Sequence, residues 1–196
     1  MKVDFDSAEL TPVLWHKLYK TWSLFKQYID QTFKNYGLTS EQYGVLLSIA
    51  YLGEPARITD IARYLERSPN SVSMIVDRMV KVGLVKRARD RTDRRVVYVS
   101  KTSKAEATLK PAGWAGIESV QKILSPMSYQ DRLVFLDLLA TLRYEILRQL
   151  NPEADITKLK RDELGQLNNT KKWLSEYGRP PHHLSPKSAR RMKKDL

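Results

Sequence analysis

The sequence predicts a mainly α-helical protein with a small β wing: a winged helix-turn-helix with N- and C-terminal dimerisation helices. Three observations indicate this fold class. Residues 58–83 read as two short helices joined by a tight turn. Residues 84–100 read as a β-hairpin with a basic tip. Apolar residues recur at helical spacing in the flanking segments 11–36 and 114–150.

The first element is a long amphipathic helix predicted over residues 11–36, with Thr11 as N-cap and Pro12 at its first position. A helix this apolar needs a partner, because a wide apolar stripe is unfavourable in water. The stripe fits either core packing against the C-terminal helices or a dimer interface beside a ligand cleft. The candidate ligand-binding residues are Trp15, Tyr19, Trp22 and Tyr43.

The second helix is predicted to follow the break at Gly37. Thr39-x-x-Gln42 is a capping box, in which each residue satisfies a backbone N–H near the other, and the helix runs to Leu52. Gly53-Glu54-Pro55 ends it, and residues 57–58 are predicted to add a short third strand beside the wing.

The helix-turn-helix is predicted to begin with Thr59 as N-cap and to turn at Arg67 and Ser68. Ser68 caps the second helix, and Pro69 occupies its first position, where a missing N–H costs nothing. Gly83 ends that helix as a left-handed cap. The buried stripe is predicted at Val72, Ile75, Val76 and Met79.

The exposed side of this second helix is a candidate recognition surface. Short polar side chains near its N-terminus can reach base edges while the backbone approaches DNA, and basic side chains farther along can contact phosphates. The alternative is an ordinary capped surface helix. The base-edge candidates are Asn70, Ser71 and Ser73, and the phosphate candidates are Arg78 and Lys81. Met74 lies beside the base-edge candidates and is included in the predicted DNA-binding set.

The wing is predicted from two β-branched runs, residues 84–87 and 96–99, around the polar tip 89–95. Residues 86–95 carry six Lys and Arg side chains against two Asp. Such a tip beside a recognition helix suits insertion into the narrow, strongly negative minor groove. The alternative is a merely solvated charged face. Asp77 on the second helix is predicted to pair with a wing arginine.

This stretch resembles the multiple antibiotic resistance regulator (MarR) family of bacterial and archaeal transcription factors, over about residues 12–150. The resemblance rests on four motifs: Leu38-Thr39-x-x-Gln42-x-x-Val45-Leu46, Ile61-Ala62-x-x-Leu65, Ser68-Pro69-x-x-Val72-x-x-x-Val76-Asp77-Arg78-Met79-x-x-x-Gly83-Leu84-Val85, and Asp90-x-x-Asp93-x-Arg95. The wing motif and its spacing from Asp77-Arg78 are the specific part.

The resemblance implies a homodimer that binds a pseudopalindromic operator on double-stranded DNA and is released by a small aromatic or amphipathic effector. It also implies that Arg95 reaches into the minor groove and that Asp93 orders the wing tip. Arg94 lies next to Arg95, and Arg91 is a second candidate for the minor groove. With Ser68 at the helix N-terminus, these residues complete the predicted DNA-binding set.

The C-terminal half is predicted to be helical with interruptions. Ser103-x-x-Glu106 reads as a capping box, and Pro111 predicts a kink or break at 110–113. Ser128 is predicted to cap the helix that runs to residue 150, with Leu136 and Leu150 on its inward side. The resulting organisation is dimerisation helices at 8–36 and 101–150, a DNA-binding domain at 37–100, a helical extension at 151–177 and a basic, flexible tail at 178–196.

Composition narrows the function classes. A net charge of +12 and a pI near 9.8 favour a polyanionic partner, nucleic acid first. The absence of cysteine excludes thiol-based sensing. No long apolar run or signal peptide is apparent, so we expect a cytoplasmic protein without a membrane partner. The sequence offers no catalytic constellation, metal site or cofactor motif. A winged-helix protein- or RNA-interaction module without an operator is the alternative function.

Overall fold

The computed structural model describes residues 6–177, so the predicted basic tail 178–196 lies outside the described residues. The chain divides into two compact units, Met1–Gly116 and Ile117–Leu196, and the division falls within one helix. Among the described helices, none combines the length and the apolar content needed to cross a bilayer. The elements in chain order are α1 (Ser7–Lys34), α2 (Ser40–Leu52), β1 (Ala56–Arg57), α3 (Ile58–Tyr64), α4 (Pro69–Lys81), β2 (Val85–Arg89), β3 (Val97–Lys101), α5 (Ser103–Leu124), α6 (Tyr129–Leu150) and α7 (Ile156–Tyr177).

Helix α1 begins at Ser7, five residues before Pro12, so the assignment of Thr11 and Pro12 to its start is wrong. Asp6 is the N-cap, and its carboxylate accepts the backbone N–H groups of Ala8 and Glu9 at 2.9 and 2.8 Å. Glu9 completes a capping box. These charge-assisted bonds stabilise the earlier start, because the carboxylates also lie at the positive end of the helix dipole. Pro12 therefore lies inside the helix.

The core of the first unit lies beneath the helix-turn-helix. The prediction that Val72, Ile75, Val76 and Met79 form the buried stripe of α4 is confirmed, because each is at most 2% exposed. The side of α2 that faces them is equally buried, and the Ser48 hydroxyl within it donates to helix carbonyls at 2.9 Å. The other fully buried residues of this core include Val45, Leu46, Ile49, Ile61 and Val99.

The start of α3 and the turn after it differ from the prediction. Helix α3 begins at Ile58 with Arg57 as an N-cap that makes no side-chain capping bond, so the Thr59 cap is wrong. The cause is tertiary: β1 pairs with β3 and leads directly into the helix. The turn begins at Leu65 and Glu66, with Glu66 at a left-handed φ of 53°, two residues before the predicted Arg67 and Ser68.

The predicted hairpin is confirmed as part of a three-stranded antiparallel sheet, in the order β1-β3-β2. Strands β2 and β3 pair from Val85 opposite Lys101 to Arg89 opposite Val97. The predicted third strand is present but comes one residue earlier, over Ala56–Arg57. We use "the wing" for β2, β3 and the tip that joins them, residues 90–96.

Helix α5 is continuous from Ser103 to Leu124, so the predicted break at 110–113 is wrong. Leu109 and Ala112, which flank Pro111, are buried, and this packing offsets the one backbone hydrogen bond that proline removes. The capping prediction is also displaced by one residue, because the hydroxyl of Thr102, not that of Ser103, accepts a first-turn N–H, from Ala105 at 3.3 Å.

The second unit contains the end of α5 together with α6 and α7. The predicted capping box of Ser128 and Asp131 is confirmed at the start of α6. None of the 22 described residues of α6 is buried, and Leu136 and Leu150, predicted to point inward, are 61% and 78% exposed. The inward assignment is wrong for the single chain, because no described part of the chain covers this face. The predicted extension 151–177 forms α7, and Glu163 on it accepts hydrogen bonds from Arg143 and Tyr144 of α6.

Candidate nucleic-acid interface

The exposed surface of α4 lies opposite its buried stripe. At 3.6 residues per turn, Asn70, Met74 and Lys81 lie on the side farthest from the core, and all three are exposed. Ser71 lies with Arg78 on one flank of this face, and both serines, Ser71 and Ser73, are half-buried. Met74 is an apolar exception within this polar face, with 67% of its surface exposed. The face therefore offers hydrogen-bonding groups, one methyl-bearing side chain and two cations.

The N-terminus of α4 is built as the sequence predicts. Ser68 is exposed, and its hydroxyl accepts the backbone N–H of Ser71 at 3.2 Å. Pro69 occupies the first helical position, so it leaves no N–H unsatisfied there. The remaining N–H groups and the positive end of the helix dipole make this terminus favourable for an anion.

The C-terminal half of α4 is tied to the wing. Asp77 on the exposed side of α4 pairs with Arg87 on β2, which confirms the predicted pairing of Asp77 with a wing arginine. The pair joins the recognition helix directly to a strand of the wing. Arg87 is thereby oriented by a protein carboxylate rather than left to solvent.

The wing tip is ordered mainly by Asp90. Its Oδ1 accepts the Thr92 hydroxyl at 2.5 Å and the backbone N–H groups of Thr92 and Asp93 at 2.8 and 3.0 Å. The hydrogen bond from the Thr92 hydroxyl and those from the two N–H groups lower the pKa of Asp90 to about 2. Asp93, assigned this role from the resemblance, makes one comparable bond, accepting the N–H of Arg95 at 2.9 Å.

The basic side chains of the tip are available to a ligand. Arg91, Arg94 and Arg95 are all exposed, and the tip backbone is closed by hydrogen bonds between residues 90, 93 and 96. A fixed backbone that carries exposed guanidinium groups suits a narrow polyanionic groove, because little ordering is required on binding.

Three residues near this surface were not in the predicted set. Arg57 on β1 lies over the ring of Tyr98 on β3, with its guanidinium carbon 5.7 Å from the ring centre. Arg67 in the turn pairs with Glu41 at 3.0 Å. Asp90 could have been found, because an Asp followed two residues later by Thr is a common side-chain-closed turn. Arg57 and Arg67 depend on long-range packing and gave no sequence signal.

The predicted ligand-binding residues occupy two separate places on the chain. Trp15, Tyr19 and Trp22 are exposed on the N-terminal part of α1. Tyr43 on α2 stacks on Phe33 at 4.4 Å between ring centres, and burial raises its pKa to about 12. A helical rise of 1.5 Å per residue places Phe33 about 27 Å along α1 from Trp15. These four residues therefore do not form one cluster within a single chain.

The architecture defines the first unit as a winged helix-turn-helix, the class in which a recognition helix and a hairpin wing form one surface. Residues 36–96 match the model of the MarR family. The matched range contains all four motifs on which the resemblance of the sequence to that family rests.

A curated transcriptional regulator is also similar to this chain. The chain is 33% identical over 86 residues to the HTH-type transcriptional regulator MgrA of Staphylococcus aureus, an alignment that covers 44% of this chain and 57% of MgrA. The chain thus spans somewhat more than half the length of the curated relative that it matches.

Solved structures share the fold over a longer range. The ligand-free organohalide-sensing transcriptional regulator RdhR-CbdbA1625 aligns with a TM-score of 0.68 at 23% identity, over 78% of this chain and 90% of that one. BpsR of Bordetella bronchiseptica aligns with a TM-score of 0.60 at 20% identity, over 66% and 98%. AbsC of Streptomyces coelicolor, a MarR family transcriptional regulator, aligns with a TM-score of 0.62 at 21% identity, over 76% and 99%. MgrA, RdhR-CbdbA1625 and AbsC are transcriptional regulators rather than enzymes.

Proposed function

We propose that this chain is a homodimeric, DNA-binding transcriptional regulator, acting as a repressor on a pseudopalindromic operator. The observation that carries the proposal is the juxtaposition, within one compact unit, of the exposed face of α4 and an arginine-bearing wing joined by the pair of Asp77 and Arg87. A net charge of +12 favours the same polyanionic partner. A DNA-bound regulator would act in the cytoplasm.

In this proposal α4 lies in the major groove. Asn70, Ser71 and Ser73 hydrogen-bond to base edges, and Met74 contacts a thymine methyl group. The cap at Ser68 and the cations Arg78 and Lys81 bind the flanking phosphates.

The wing would occupy the adjacent minor groove. Arg95 enters the groove, where a narrow width concentrates the negative potential, and Arg91 and Arg94 bind at its edges. Asp93 holds the backbone at Arg95, as the hydrogen bond between them suggests. The minor-groove contact thus depends on the fold of the tip as well as on its charge.

A second copy of the chain is the proposed cover for the exposed apolar faces of α1 and α6. Trp15 on α1 is 73% exposed in the single chain, and Leu136 on α6 is 61% exposed. Apolar faces of this extent are unfavourable in water unless a partner covers them. Two recognition helices about 34 Å apart would then meet successive turns of one groove.

A small aromatic molecule is the proposed effector that releases the operator. One solved neighbour, RdhR-CbdbA1625, has been obtained in a 2,4-dichlorophenol-bound form, and the DNA binding of another, BpsR, is regulated by 6-hydroxynicotinic acid. Trp15, Tyr19, Trp22 and Tyr43 remain the candidate contacts on this chain. A ligand that favours one arrangement of the dimer would change the spacing of the two recognition helices and so the affinity for both half-sites.

The test is binding to a labelled duplex from the region upstream of the protein's own gene, measured by fluorescence anisotropy over a range of salt concentrations. We expect affinity to fall steeply with salt, because each neutralised phosphate releases counterions. Arg95→Ala should weaken binding about tenfold, which corresponds to the loss of roughly 1.4 kcal/mol. It should leave the oligomeric state unchanged in sedimentation.

Arg148→Ala is the matched control, because Arg148 is an exposed arginine of α6 in the second unit that pairs with Glu145 at 3.0 Å. It removes the same charge and should leave affinity nearly unchanged. A flat salt response, or equal effects of the two substitutions, would contradict the proposal and favour a protein- or RNA-interaction module. A strictly monomeric particle would contradict the dimer.

A further inference from the structure

One carboxylate beside the recognition helix contacts two arginines from different parts of the helix-turn-helix. Glu41 lies in the first turn of α2, and its Oε1 is 3.0 Å from Nη1 of Arg67 in the turn before α4. Its Oε2 is 3.7 Å from Nη2 of Arg78 on α4. We call these three residues the Glu41 triad. Its two cations and one anion leave a net positive charge.

The carboxylate of the triad is held in place by the start of α2. Thr39 and Gln42 form a capping box around it, which fixes the backbone on both sides of Glu41. The backbone N–H of Ser40 donates to Asp30 of α1 at 2.8 Å. Glu41 therefore projects from a helix end that is anchored to the preceding helix.

Arg67 is brought to the carboxylate by the backbone of the turn. The left-handed residue Glu66 reverses the chain, and the N–H of Arg67 then donates to the carbonyl of Ala62 at 2.9 Å. Arg67 directly precedes the N-cap Ser68, and its guanidinium reaches Glu41 at the start of α2. Arg78 approaches from the flank of α4 that also carries Ser71.

The exposure of the triad points to an external anion. The side chains of Arg67 and Arg78 are 37% and 64% exposed, whereas Glu41 is 29% exposed. Two guanidinium groups this close repel each other, and the carboxylate between them offsets that repulsion while leaving N–H donors of both arginines unused by it. A planar guanidinium with free donors is well suited to phosphate oxygens.

We propose that Arg67 and Arg78 form one phosphodiester-binding pair on the DNA backbone and that Glu41 is the positioning residue that holds them. This inference rests on the proposed DNA-binding function and adds Arg67 to its contacts. It also predicts that removing the negative charge of Glu41 lowers the affinity for DNA, the opposite of the effect expected from charge alone. A carboxylate near DNA should repel it, yet loss of this carboxylate should weaken binding because both arginines lose their orientation.

The test uses Glu41→Gln in the full-length chain, with duplex affinity measured as a function of salt. We expect affinity to fall about fivefold and the slope of log affinity against log salt to become shallower by about 1 or more, because phosphate contacts are lost. Asp60→Asn is the matched control. Asp60 lies in the same unit, pairs with Arg63 at 3.2 Å, and gives the same change in charge. This control should bind as well as wild type or more tightly.

A double-mutant cycle separates positioning from a general loss of structure. The double variant Arg67→Ala, Arg78→Ala should itself bind the duplex more weakly than wild type. Adding Glu41→Gln to this double variant should cause no further loss of duplex affinity. Unchanged or tighter binding by Glu41→Gln alone overturns the inference. So does weaker binding with an unchanged salt slope. A wild-type chain that binds no duplex overturns the proposed function and this inference with it, whereas failure of the inference alone appears only in the variants.

Discussion

The junction between the recognition helix and the wing depends on the backbone of Gly83. Gly83 has a φ of +73°, and its N–H donates to the carbonyl of Val80 at 3.0 Å. The next N–H, that of Leu84, donates to the carbonyl of Met79 at 2.9 Å. These two bonds form a Schellman motif, which ends α4 and turns the chain into β2. Substitution by alanine tests the backbone requirement directly.

Gly83→Ala should lower the free energy of unfolding mainly through the backbone conformation at this position. Apart from its chain neighbours, no described heavy atom lies within 4 Å of the Cβ position, so the substitution causes no steric clash. A left-handed conformation costs a residue with a Cβ roughly 1–2 kcal/mol. Alanine also has less conformational entropy than glycine in the unfolded chain, which stabilises the folded state by about 0.4–1 kcal/mol. We therefore expect the free energy of unfolding to fall by about 1 kcal/mol.

The assay is urea denaturation at one fixed protein concentration, because association would make stability depend on concentration. Gly44→Ala is the control: Gly44 lies inside α2, and its added Cβ meets only Leu65 Cδ2 at an ordinary 3.4 Å. This variant should gain up to about 1 kcal/mol from helix propensity. Gly83→Asn should lose less than Gly83→Ala, since Asn tolerates the left-handed region. A Gly83→Ala variant as stable as wild type would show that the left-handed backbone at this position carries no such energetic cost.

Three further predictions concern the wing and two half-buried titratable groups. Asp90→Ala removes the acceptor that closes the wing tip, so duplex affinity should fall while the urea midpoint stays close to wild type; unchanged affinity would show that the tip needs no such order. Burial raises the pKa of Tyr43 to about 12. Because an unfolded tyrosine loses its proton near pH 10, the contribution of neutral Tyr43 to the free energy of unfolding is complete below about pH 10 and is lost as the pH rises towards 12. Tyr43→Phe should flatten that decline in alkaline urea titrations, and an identical decline would contradict the assignment. Burial disfavours charge on Lys101, but hydrogen bonds to Glu106 and Glu54 outweigh it and raise its pKa above 10.5. The stability from Lys101 should therefore be present below pH 10.5 and lost above its raised pKa, and Lys101→Met should abolish that loss in the same titration.

Features that depend on neighbours three or four residues apart were predictable from the amino-acid sequence alone. The caps at Thr39, Ser68 and Ser128, the left-handed end at Gly83 and the buried stripe of α4 were all predicted correctly. Each depends on a local hydrogen bond or on helical periodicity, and both follow from residue types at fixed spacings in the sequence. The wing hairpin was predicted for the same reason, since its strands are close in sequence.

Features that depend on residues distant in sequence were set by the packing of the folded chain. Helix α5 continues across Pro111 because buried neighbours hold it, which no local rule predicts. Glu41 meets Arg67 across 26 residues of chain because α2 packs beside the helix-turn-helix turn. Local propensity does not reveal which distant side chains a fold brings within hydrogen-bonding distance, because that depends on how helices pack together. The exposed face of α4, the wing hairpin and the pairing of Asp77 with a wing arginine were therefore predictable from the sequence, whereas the ion pairs of Glu41 with Arg67 and Arg78 were not.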